Sequence, residues 1–165
     1  MPQGIMTARI NHRVRAILLT GRGTILLIKR LRSGSAPYWV LPGGGVEPTD
    51  SSFEEALARE LDEEIGGSAR ILNEVFYTEY PGLDEMDGWT VQHHYFVCLL
   101  DGYDLSRRSG PEFNDPSKGE YLLDEVPLEP NALDAIAFLS DEIKDFLITH
   151  AEQLRRCWMP VPTLA

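Results

Sequence analysis

Between Trp39 and Gly67 the chain sets a glycine-rich turn, an acidic helical segment and a second glycine turn in direct succession. This stretch constrains the fold more than any other. Phe53, Leu57, Leu61 and Ile65 recur every four residues, which predicts a helix with one buried stripe. Asp50, Ser51 and Ser52 are all N-cap residue types, and Glu55 follows Ser52 at capping-box spacing. Gly66-Gly67 supplies the stop, because glycine accepts the left-handed backbone at little cost. Away from the stripe, Glu60, Glu63 and Glu64 stand at i, i+3 and i+4 and share one face. Like charges at these spacings destabilise a bare helix by about 0.2–0.5 kcal/mol per pair. The helix dipole also disfavours anions near its C-terminal end. Two readings stay open on these residues alone: a solvated acidic face with Arg59 as its ion-pair partner, or a carboxylate cluster kept for a hard divalent cation. Pro42-Gly43-Gly44-Gly45 should neither continue a strand nor start a helix. Such a loop brings backbone carbonyls and amides within reach of a metal and of phosphate oxygens.

The remaining segments predict a mixed α+β domain rather than strict βαβ alternation. Strands are expected over 13–20, 24–30, 69–80, 89–100 and 120–126, with a hairpin turn at Gly21-Arg22-Gly23. Residues 104–119 are polar, contain two prolines, and are expected to form a mobile loop. Residues 131–155 should be mostly helical with a break near Ser140. One domain over 1–165 is expected, with 1–11 and 159–165 as irregular tails.

The net charge of −11, from 26 acidic and 15 basic residues, argues against a protein that coats a nucleic-acid polymer. It does not exclude a small phosphorylated substrate, because a bound cation reverses the local field. The two cysteines, Cys98 and Cys157, form neither a disulfide framework nor a zinc pattern. No signal-peptide core and no membrane-length apolar run is present, so a cytoplasmic protein without membrane contact is expected.

Gly44 through Gly66 resembles the Nudix box, G-x5-E-x7-R-E-U-x-E-E-x-G-U with U aliphatic. Arg59-Glu60-Leu61-Asp62-Glu63-Glu64-Ile65-Gly66 matches the R-E-U-x-E-E-x-G core at every fixed position, and Trp39 to Glu47 resembles the usual approach to it. One residue is extra before Arg59. Aligned on the glycines, the first box glutamate falls on Asp50; aligned on Arg59, it falls on Ser51. A rearranged helix start is therefore expected, with Asp50 keeping the acidic contact. Gly67 replaces the final aliphatic residue, at an expected cost in packing.

The resemblance implies the family's α/β/α sandwich, with a mixed sheet and a catalytic loop–helix–loop. It implies an Mg²⁺-dependent pyrophosphohydrolase, with Mn²⁺ as a substitute, in which water attacks phosphorus of a nucleoside diphosphate linked to another group. Substrates would be nucleoside triphosphates, nucleotide sugars or oxidised nucleoside triphosphates, and a homodimer is a family-based expectation. Glu60, Glu63, Glu64 and the carbonyl of Gly44 (or Gly43) would hold the metal, with Glu60, Arg59 and Glu63 in the catalytic set and Arg59 orienting Glu60. A late-loop base or ligand would come from Glu112, Asp115 or Glu120. Arg30 and Arg32, with Lys29, are candidates for phosphate, and Trp39 for stacking on a base. His93 and His94 adjoin on a predicted strand, so at most one faces the site. A nucleotide-sensing domain without catalysis is the alternative from another class. The intact box glutamates favour the enzyme.

Overall fold

The structure, a computed structural model, describes residues 9–158. Its frame is a seven-stranded mixed sheet. Strand β1 (Arg9–Leu19) pairs in parallel with β6 (Trp89–Tyr103), and β5 (Gly67–Pro81) adds antiparallel to β6 at the edge. On the other side, β2 (Thr24–Leu31) pairs antiparallel with β3 (Tyr38–Val40) and with β7 (Glu120–Pro127). The first strand begins at Arg9, inside the tail expected to be irregular; residues 1–8 and 159–165 lie outside the described residues.

The expected hairpin is present, but β1 and β2 share only the pair Leu19↔Ile25 beside the turn. Beyond it they part, and the chain from β3 fills the gap. Here the expectation for the glycines needs correction. Gly43–Gly45 forms a short strand, β4, paired antiparallel with Arg13–Arg15 of β1. The run continues a sheet because the approach is too close for side chains: a Cβ on Gly43 would collide with the backbone of Val14.

Side-chain alternation sorts the core into two layers. Val14, Ala16, Leu18, Leu26, Phe96 and Cys98 face helix α1 (Phe53–Ile65) and its buried Leu57, Leu61 and Ile65. Burying each of these large aliphatics contributes about 1.5–3 kcal/mol. Ile17, Leu19, Ile25, Leu27, Tyr95 and Val97 face the opposite way. They pack on helices α2 (Pro130–Asp134), α3 (Asp141–Thr149) and α4 (Ala151–Arg156). The result is the expected α/β/α sandwich. The expected break near Ser140 is real: Ser140 caps α3, and residues 137–139 run extended beside Trp39.

Helix α1 has the predicted bounds. The Ser52 hydroxyl accepts from the Glu55 N–H, and Gly66 closes the helix in the left-handed region. The Glu55 carboxylate reaches back to the N–H of Ser51 rather than to the cap residue itself. Gly67 costs no packing, because a Cβ there would press on the Gly102 carbonyl and the Ile65 side chain. Residues 104–119 form three short 3-10 turns tied to the end of α1 rather than a free loop. Among the described residues no helix is long and apolar enough to cross a membrane.

Candidate active site

The end of α1 meets the glycine strand where β1 and β2 part. Glu64 is partly buried, and its carboxylate accepts from the Gly43 N–H at 3.0 Å. Burial pushes its pKa up to about 7, against the pull of Arg15 and of that N–H. Glu60 lies against Gly44 so closely that a Cβ there would overlap its carboxylate. Burial raises the Glu60 pKa too, while its bond to Arg59 lowers it. Glu63 is more open, and its closest charged partner is Arg59 at 3.4 Å.

Arg59 organises this corner. It donates to both oxygens of Asp50, at 3.0 and 2.8 Å, to the Gly45 carbonyl at 2.9 Å, and to Glu60 at 3.1 Å. Asp50 therefore makes the acidic contact expected of it. The Arg59 bonds and the Glu47 N–H hold its carboxyl below the usual range. The same fork orients Glu60. The N–H groups of Arg59 are thus committed to Asp50, Gly45 and Glu60. Arg15 donates to the carbonyls of Leu41 at 3.3 Å and Gly43 at 3.1 Å, so the Gly43 carbonyl already meets a cation.

Beside Glu64 opens a cleft of about 300 Å³, lined by Arg13, Arg15, Arg30, Tyr38, Gly43, Glu112, Lys118 and Tyr121. Its cations are notable in so acidic a chain. Arg30 stacks over Tyr121 at 3.6 Å and donates to the Lys118 carbonyl at 2.6 Å. Arg32 and Glu120 are elsewhere: both line a separate open hollow with Leu31 and Pro116. Asp115 spends its carboxylate on the Ser117 N–H and hydroxyl. Of the late-loop carboxylates, only Glu112 faces the cleft.

A second hollow continues from Arg15, walled by Trp39, Tyr95 and Phe138 with His93 and Ser140. Trp39 is fixed by its indole N–H, which donates to Asp124 at 2.7 Å. His93 points here, whereas His94 points to the α1 layer, where it meets His12 and Phe53. Burial, with Arg15 and Arg13 nearby, lowers the His93 pKa to about 4, so the ring is neutral. Its Nδ1 is enclosed and has no partner among the described residues.

Sequence reasoning missed Arg13, Arg15, Tyr38, Arg108 and Lys118. A signal existed for the first two: they alternate with buried Val14 and Ala16, so they share a sheet face with His93 and Tyr95, their register partners. Arg108 has no local signal, because its partners are Glu64 and Tyr121.

A family model described as NUDIX domain matches residues 10–162. An RNA pyrophosphohydrolase of Erythrobacter litoralis is 28% identical over 115 residues, covering 60% of this chain and 70% of that protein. A provisionally named 8-oxo-dGTP diphosphatase of Bacillus subtilis is 35% identical over 86 residues, covering 52% of each. Among solved structures, the E. coli ORF135 protein superposes with a TM-score of 0.63 at 24% identity, covering 91% of this chain and 94% of that one.

Proposed function

The chain belongs to the Nudix family, and from that premise we propose that it hydrolyses a nucleoside diphosphate linked to a further group, with a divalent metal. The observation that carries this reading is the meeting of Glu60 and Glu64 with the Gly43–Gly44 backbone at the mouth of a cationic cleft. The names of the two relatives both denote cleavage of a diphosphate. They support the reaction class and leave the substrate open among nucleoside triphosphates, oxidised or not, and nucleotide sugars. A net charge of −11 favours a small substrate over a polymer.

The donor set suits a hard cation. Glu60, Glu63, Glu64 and the Gly44 carbonyl offer oxygen only, and the Glu64 carboxylate accepts one N–H, that of Gly43, with Arg15 as a nearby cation. Among the described residues no three such side chains stand together closely enough to hold a metal by themselves. A hard ion such as Mg²⁺, with Mn²⁺ as its substitute, would complete its shell with waters and substrate phosphate oxygens. When bound, the ion supplies charge neutralisation at phosphate and a lowered pKa for water.

The chain's own residues do the rest. Arg13, Arg15, Arg30 and Lys118 hold phosphate oxygens in the cleft. Glu112, facing Glu64 across it, takes the proton of the attacking water. Trp39 and Tyr95 wall the hollow that receives the base, with His93 beside them. Arg59 keeps Glu60 aimed while bound to Asp50.

The test is product release over a panel of nucleoside triphosphates and nucleotide sugars, with Mg²⁺ and Mn²⁺ compared. Metal-dependent cleavage of at least one phosphoanhydride is expected. Tight nucleotide binding with no turnover on any of them would move the assignment to a nucleotide sensor.

A further inference from the structure

The last turn of α1 contains no basic residue, although Glu63 and Glu64 sit at its electronegative end. The missing cation and the missing donors arrive from one distant segment. The Asp104 N–H donates to the Gly66 carbonyl at 3.1 Å and the Ser109 N–H to the Glu63 carbonyl at 3.0 Å. Arg108 Nε donates to the Glu64 carbonyl at 2.6 Å, and its Nη1 to the Tyr121 carbonyl at 3.0 Å. The Arg108 guanidinium also lies over the Phe113 ring, 4.2 Å from its centre. Phe113 packs edge-on against Tyr121 at 5.0 Å, and Arg30 covers Tyr121 at 3.6 Å. A continuous stack, Arg108–Phe113–Tyr121–Arg30, thus runs from the backbone of Glu64 to the wall of the cleft.

Resting on the hydrolase reading above, we propose that Arg108 is a positioning residue that joins the carboxylate end of α1 to the substrate wall at Arg30 and Tyr121. Its planar fork fits this task, because two N–H groups meet two carbonyls from different elements while the flat face rests on an aromatic ring. A lysine offers a point charge and no such geometry. Arg108 touches none of the three carboxylates proposed as ligands through its side-chain bonds; it fixes the carbonyl of the residue that carries one of them. Partners of this outer kind commonly change metal affinity or activity by about 10- to 100-fold when removed.

Two variants cut the stack at different points. In Arg108→Gln, Mn²⁺ binding to the metal-free protein, read from the electron spin resonance of free Mn²⁺, should weaken about tenfold or more. The KM for the best nucleotide should rise in the same variant, and Arg108→Lys should recover only part of either loss. Phe113→Leu leaves both carbonyl bonds in place. It should raise KM while Mn²⁺ affinity stays within about twofold of wild type, a split that general loss of stability does not produce. Added guanidinium ion should restore Mn²⁺ binding in Arg108→Ala. Near-UV circular dichroism checks that each variant is folded. Folded Arg108→Gln with Mn²⁺ affinity and KM both within about twofold of wild type would overturn the proposal. A wild-type chain that binds no Mn²⁺ and cleaves no nucleotide overturns the hydrolase reading itself, and that result is distinguishable because it precedes any substitution.

Discussion

Asp50 and Arg59 face each other through two parallel hydrogen bonds, Nε to Oδ1 at 3.0 Å and Nη2 to Oδ2 at 2.8 Å, with the Asp50 side chain only 4% exposed. This pair absorbs the extra residue before Arg59: Asp50 meets the guanidinium, while Ser51 bonds Glu55 and Ser52 caps the helix. Asp50→Ala should release Arg59, and with it Glu60, and lower kcat by about 10- to 100-fold. Deleting Ser51, which restores ordinary box spacing, should harm rather than help, because it pulls Asp50 off the fork. Steady-state kinetics with a melting curve checks both. A deletion variant as active and as stable as wild type would show that the residue is merely tolerated.

Glu64 gives the metal-free protein a pH dependence of unusual sign for a carboxylate. Its folded pKa, about 7, lies above the unfolded value near 4.5. The folded state therefore holds the proton more tightly, and stability is lost as pH rises through that window, by on the order of 3 kcal/mol. Denaturation with chelator present should show this decline between about pH 4.5 and 7. Mg²⁺ should reverse it. Glu64→Gln should flatten the profile and abolish metal-dependent turnover. Activity surviving that change would remove Glu64 from the ligand set.

His93 runs the other way. Its folded pKa, about 4, lies below the unfolded value near 6.5, so its contribution is present above 6.5 and is lost as pH falls toward 4. His93→Phe should reduce acid sensitivity in that interval. The same substitution should alter the ratio of kcat/KM among bases, because the imidazole that lines the hollow is replaced. An unchanged ratio would place the base outside the hollow.

The three adjacent glycines separate folding from function. Gly43→Ala meets backbone at a positive φ and should destabilise the fold by about 1–3 kcal/mol. Gly44→Ala displaces only the end of the Glu60 side chain and should cost activity more than stability. Gly45→Ala enters open space and should be near neutral in both. Melting temperatures and turnover of the three variants, measured together, decide the matter.

Glu112→Gln should lower kcat by about a hundredfold if it takes the proton, whereas Glu120→Gln, which lies in a separate hollow, should not. Equal losses from both would point to another base.

What was legible in the sequence follows the range of the interactions. The bounds of α1 were readable because Ser52, Glu55, the four-residue apolar repeat and Gly66 act within a few residues of one another. The separation of His93 from His94 was readable from strand alternation alone. The glycine strand was not, since glycine pairing depends on β1, about thirty residues earlier, coming too close for a side chain. Residues 104–119 read as a free loop because their fixed partners, the carbonyls of Glu63, Glu64, Gly66 and Tyr121, leave no trace in local composition. Arg32 and Glu120 looked equivalent to Arg30 and Glu112 until register set them on a different surface.

The dependence of the α1 terminus on residues 104–109 also sets an order of events during synthesis. A nascent chain that ends before Arg108 already carries the whole signature segment. Its helix end is unfinished until the ribosome has added some forty further residues and they fold back. Competence for chemistry therefore arrives late, after most of the sheet has been made, and a prematurely terminated fragment would retain the motif without the finished site.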